Sequence, residues 1–120
     1  MDGRAWQIHR VRWMLGLLVV AGCDSGAANG SVDGSQVFAN TCAVCHGAHG
    51  KPDEGMVARI GVKDLTAIAE RAKFVPGFVE NQVRNGSKNK LMPGFGGALR
   101  DDQITAVAAY VVSPRFVAQH

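Results

Sequence analysis

Cys42-Ala43-Val44-Cys45-His46 is the stretch on which the reading of this chain turns. Two cysteines three positions apart lie on one face of a helical turn, where each can form a thioether to a vinyl group of one haem. The histidine that follows can then point its imidazole at the iron. Zinc fits the same donors less well. Cys42, Cys45, His46 and His49 are at hand, but the adjacent Cys45 and His46 do not easily serve one tetrahedral ion, and the chain has no second Cys-x-x-Cys. A dithiol redox pair calls for a βαβ setting, and the sequence has no strand alternation. The pattern reads as covalent attachment of one haem c, with His46 as an iron ligand.

Working outward, the segment before the motif has helical spacing. Asp33 is placed as an N-cap, Val37, Phe38, Thr41, Cys42 and Cys45 recur at steps of three and four, and Gly47 supplies a stop. The glycines and proline around His49-Gly50-Lys51-Pro52 predict loop over most of 47–63. Residues 64–73 suit a short helix behind Asp64. Pro76 at a first turn and Gly86 past an end predict a helix from Pro76 to Arg84. Ile104, Val107, Ala108 and Val111 form an apolar stripe, capped by Asp101 and ended by Pro114.

A six-coordinate electron carrier needs a second iron ligand, and methionine is a common choice because its thioether favours reduced iron. Beyond the first 22 residues the chain offers Met56 and Met92. Met56 lies ten residues after His46, a short reach around a haem. Met92 lies 46 residues on, within Lys90-Leu91-Met92-Pro93-Gly94-Phe95-Gly96-Gly97, an irregular loop able to present a side chain inward. Met92 is the expected ligand.

Taken together, C-A-V-C-H-G-A-H-G, G-V-K-D-L-T, L-M-P-G-F-G-G-A-L and D-D-Q-I-T-A-V-A-A-Y-V resemble the small class I cytochromes c of bacteria, over residues 33–113. The resemblance implies an all-α fold of three to five short helices wrapped round one covalent haem. By match, Cys42 and Cys45 carry the thioethers, His46 is the proximal ligand and Met92 the distal one. Phe38, Leu65, Pro93, Phe95 and Tyr110 are implied to pack on the haem, and Gly34 and Phe38 on the first helix to meet Tyr110 on the last. Arg84, Lys88 and Lys90 would then lie near the haem edge, where positive charge can steer an acidic partner. The family often has Ser or Asp where Arg100 stands, so the last helix is expected to shift its start by one residue. A closed sixth position means outer-sphere electron transfer and no catalytic residues. His49 and His120 read as ordinary exposed histidines.

The N-terminal segment has a different character. Arg4, Arg10 and Arg12 precede the apolar run Met14-Leu15-Gly16-Leu17-Leu18-Val19-Val20-Ala21, which is far short of a membrane span of about 18 residues. The run ends in Val20-Ala21-Gly22-Cys23, which resembles the lipobox of bacterial lipoproteins. This gives residues 1–22 as a signal peptide, Cys23 as a lipidation site, 23–34 as a flexible Gly/Ser/Ala/Asn tether and 35–120 as the haem domain. Several acyl chains anchor durably where one binds only marginally. Removing Arg4, Arg10, Arg12 and Asp2 with the signal turns the formal charge of +3 into 10 basic against 9 acidic side chains, so the basicity implies no nucleic-acid partner. Export places the domain on the periplasmic face of the inner membrane. The partners expected there are a quinol-oxidising complex and a terminal oxidase or reductase. A fixed haem subunit of an enzyme complex and, from another class, a haem-based gas sensor are the competing readings.

Overall fold

Helix signals in the sequence become helices where cap and packing agree. The computed structural model describes residues 32–119, so the signal peptide, Cys23, most of the tether and His120 lie outside the described residues. Among the described residues there is no strand. Asp33 caps α1 (Gly34–Val37) by accepting from the Ser35 N–H at 2.9 Å, and the Ser35 hydroxyl, donating at 2.7 Å, together with that N–H holds its carboxyl below the usual range. The expected tether therefore overlaps the first helical turn at Asp33 and Gly34. A π-helical segment, Phe38–Cys42, follows without a break and leads into α2 (Ala43–His46), which stops at Gly47 with φ 80°.

The expected loop at 47–63 contains a helix, α3 (Glu54–Ile60). Asp53 accepts from the Met56 N–H at 3.0 Å, and Gly61 closes the helix in the left-handed region. Gly50, Pro52 and Gly55 masked this start and stop in the composition. The next helix, α4 (Ile68–Arg71), is shorter than expected, because Asp64 folds a turn onto Thr66 and does not cap the helix. The helix α5 (Pro76–Asn85) runs one residue past its expected end, and α6 (Asp101–Val112) starts after Arg100, the shifted cap. There the Gln103 side chain accepts from the Arg100 N–H at 3.0 Å, and Asp102 binds the Arg100 guanidinium. Pro114 ends α6 and also opens a further turn, α7 (Pro114–Val117). The all-α class holds; among the described residues, α3 and α7 bring the number of short helices above the three to five expected.

The core is built on α6. Ile104, Val107, Ala108 and Val111 are buried on it, Val79 and Val83 reach it from α5, and Val37 and Phe38 from the first helix. Gly34 permits the α1–α6 crossing: a Cβ there would lie 2.0 Å from the Ala106 carbonyl oxygen and 2.9 Å from Tyr110 Cβ. Three rings fill the space beside it. Phe38 meets Tyr110 edge-on at 5.9 Å and Phe116 at 5.1 Å, and Tyr110 meets Phe116 at 5.3 Å. Phe116 is fully buried, although it lies past the last helix the sequence announces. Arg71 locks this end: its guanidinium donates to the carbonyls of Val111 (2.5 Å), Val112 (3.1 Å) and Ser113 (3.3 Å) and stands over the rings of Phe74 and Phe116. A cation at a helix C-terminus and two aromatic faces is favourable on both counts.

Candidate functional site

The first helix carries Cys42, Cys45 and His46 in sequence order, and both thiols are free and half-buried. Burial pushes the Cys42 thiol up to about 11. His46 sits on the last turn of α2, where Gly47 sends the chain back beneath it. Its Nδ1 lies 3.0 Å from the Lys63 carbonyl oxygen. A carbonyl only accepts, so Nδ1 carries the proton and Nε2 keeps its lone pair. Burial lowers the His46 pKa, opposed by the bond to Lys63, so the ring is held in the neutral form that ligates a metal.

Met92 lies on the loop between α5 and α6 and packs, half-buried, against the core. Gln82 Nε2 on α5 is 3.9 Å from its sulfur. Met56 sits on the first turn of α3, and its backbone N–H is spent on the Asp53 cap. Leu65 and Phe95 are half-buried against the core, and Pro93 is exposed. Phe38 and Tyr110 spend their rings on each other and on Phe116, with Tyr110 OH also bonded to Gln119. Arg84 pairs with Asp101 at 2.6 Å, so of the three basic residues near Met92 only Lys88 and Lys90 present exposed charge without an ion pair.

The donors present fit a covalently held haem. The thiols stand three positions apart, the imidazole is neutral with a free Nε2, and a thioether is held inward by a loop. The protein also leaves Phe78 and Leu91 about half exposed, at 45% and 52%. Phe78 lies one turn before Gln82 on α5, on the face that meets Met92, where an apolar group would cover it. Sequence reasoning missed Gln82, Phe116 and Arg71, because each acquires its role from a partner supplied by another element, and it missed the half-exposed Phe78, which stacks on Phe74. For Phe116 a local signal existed in Ser113-Pro114, a helix start.

A family model described as cytochrome c oxidase, cbb3-type, subunit III matches residues 31–111. The chain is 36% identical to cytochrome c6 of Diacronema lutheri, over 68% of this chain and 92% of that protein. It is 41% identical to cytochrome c6 of Limnospira maxima, over 66% and 86%. The solved structure of KustC0563, a c-type cytochrome, superposes with a TM-score of 0.60 at 22% identity, over 68% of this chain and 95% of that one, a likeness of fold.

Proposed function

The chain belongs to the small monohaem class I cytochromes c, and on that premise we propose that it is a lipid-anchored electron carrier on the periplasmic face of a bacterial inner membrane. It carries one covalent haem c and serves redox protein partners as an electron carrier, not as an enzyme. When bound, the haem supplies an iron that takes up and releases a single electron. Cys42 and Cys45 hold the group, His46 offers Nε2 to the iron, and Met92 offers its thioether, which favours the reduced state. The observation that carries this assignment is the 3.0 Å approach of His46 Nδ1 to the Lys63 carbonyl, which fixes the ring with its free nitrogen available. With His46 and Met92 both bound to it, the iron would have no open position, and electrons would pass without bond making. Lys88 and Lys90 favour an acidic docking face, with a quinol-oxidising complex as donor and a terminal oxidase or reductase as acceptor. The basic segment, apolar run and Cys23 support export, cleavage and a lipid anchor, with residues 24–34 as the tether.

The oxidase-subunit description of the matching family favours a second reading, a fixed haem subunit of a respiratory complex. The cytochrome c6 relatives, matched over most of their length, favour the free carrier. One preparation separates the readings: the full chain, matured in a host that assembles haem c and extracted from its native membrane in mild detergent. A carrier migrates alone, keeps covalent haem on a denaturing gel, loses it in Cys42→Ala/Cys45→Ala, and leaves the membrane in Cys23→Ser. Migration with a complex selects the second reading. Covalent haem in the double cysteine variant refutes the attachment site.

A further inference from the structure

The loop that delivers Met92 is tied in a closed knot of its own hydrogen bonds. Ser87 N–H donates to the Met92 carbonyl at 3.0 Å, and Met92 N–H donates back to Ser87 Oγ at 3.0 Å. The Ser87 hydroxyl then has a proton to give and gives it to Asn89 Oδ1 at 2.7 Å, with the Met92 carbonyl a longer alternative at 3.5 Å. Asn89 Oδ1 also accepts from Leu91 N–H at 3.1 Å, and Lys90 N–H closes a turn on the Ser87 carbonyl at 3.1 Å. Lys90 pays for that turn with φ 62°, the one positive φ outside glycine among the described residues.

Both sides of the loop are fastened to α5. On entry, Gly86 adopts φ 75°, and a Cβ there would fall 2.5 Å from the Met92 carbonyl oxygen. On exit, Phe95 N–H and Gly96 N–H bond the carbonyls of Val83 and Arg84 at 2.8 and 3.1 Å. The backbone of Met92 is thus fixed before any partner reaches its sulfur. A residue that touches Met92 through both its backbone and its hydroxyl sits at the centre of this arrangement.

We propose that Ser87 is a positioning residue for the distal thioether: its two-point grip on Met92 holds the sulfur in ligating position and sets how rarely the sixth iron position opens. The proposal rests on Met92 being the ligand. Replacing Ser87 by Ala leaves Met92 N–H and Asn89 without their hydroxyl partner, a loss of the size that shifts an equilibrium roughly five- to tenfold. Ser87→Thr keeps the hydroxyl.

The experiment uses the haem-loaded protein and compares wild type, Ser87→Ala, Ser87→Thr and Met92→Ala. Two readouts are taken: the near-red band of iron–thioether ligation in the oxidised protein, and the rate of carbon monoxide binding to the reduced protein. The expected result is that Ser87→Ala weakens the band and speeds carbon monoxide binding by roughly five- to tenfold, that Ser87→Thr restores both, and that Met92→Ala loses the band. An unchanged band and rate in Ser87→Ala, with the band lost in Met92→Ala, overturn the positioning role alone. A full band in Met92→Ala overturns the ligand reading and the positioning role with it. Should Ser87→Ala not accumulate, Ser87→Gly removes the same hydroxyl, and an unchanged band and rate there overturn the proposal.

Discussion

Gly34→Ala tests the helix crossing on which the fold depends. The added methyl carbon would stand 2.0 Å from the Ala106 carbonyl oxygen, 2.6 Å from its carbon and 2.9 Å from Tyr110 Cβ. The first two are backbone atoms of α6 and cannot rotate away, so α1 must lift by at least about 1 Å to reach a tolerable contact. Overpacking of this kind costs about 1–3 kcal/mol, and the upper half of that range applies where backbone meets backbone. Lifting α1 also opens the Phe38–Tyr110 ring contact. Alanine returns up to ~1 kcal/mol as the better helix former. The net loss is about 2 kcal/mol, or a fall in Tm of ~8–16 °C for a domain of this size. Thermal unfolding of the haem-loaded protein by circular dichroism measures it. Gly77→Ala is the control: it makes the same change on α5, where an added Cβ meets nothing within 4 Å, and Tm should hold or rise slightly. A Gly34→Ala protein melting within about 2 °C of wild type, beside a well-behaved control, would refute the close-crossing argument.

Two further outcomes follow from side chains the sequence does not announce. Arg71→Gln removes three bonds to the end of α6 and two ring contacts, and should lower stability by about 2–3 kcal/mol in urea unfolding; Arg71→Lys should recover less than half, since an ammonium lacks the planar fork. Gln82→Leu removes the N–H donor beside the Met92 sulfur, which withdraws electron density and so disfavours the oxidised iron. The midpoint potential should fall by about 20–60 mV, one hydrogen bond converted at 59 mV per tenfold, and voltammetry showing no shift or a rise would reject the contact.

What was legible in the sequence was what local chemistry encodes. Cys42, Cys45 and His46 read as the proposed attachment site because thioether and imidazole chemistry needs them close together on one turn. Pro76, Gly86 and Pro114 mark helix limits because ring and φ constraints act within a residue or two. The helix at Glu54–Ile60 was hidden by surrounding glycines, though Asp53 and Gly61 bracket it with ordinary caps. Ser87, Gln82 and Arg71 stayed silent for a different reason: their partners lie 5, 10 and about 40 residues away, and only the folded chain supplies them. The polar residues between Gly86 and Met92 read as loop composition, which they are; that they form a knot on the backbone of Met92 is a property of geometry.

The π-helical segment Phe38–Cys42 gives the first helix one residue more per turn than its neighbours, with the Ala43 N–H reaching back to the Phe38 carbonyl. The two ends of that helix have different tasks: Phe38 packs in the aromatic cluster, and Cys42 to His46 carry the proposed attachment site. Deleting a single residue such as Ala39 would restore ordinary hydrogen bonding and make a more regular helix. With every residue kept, closing this turn as an ordinary α-helix would instead swing everything after it by up to about 100°, turning both thiols and the imidazole off their heading while Phe38 stayed in place. The irregular turn thus takes up one extra residue while keeping the aromatic anchor and the Cys42–His46 turn on their headings.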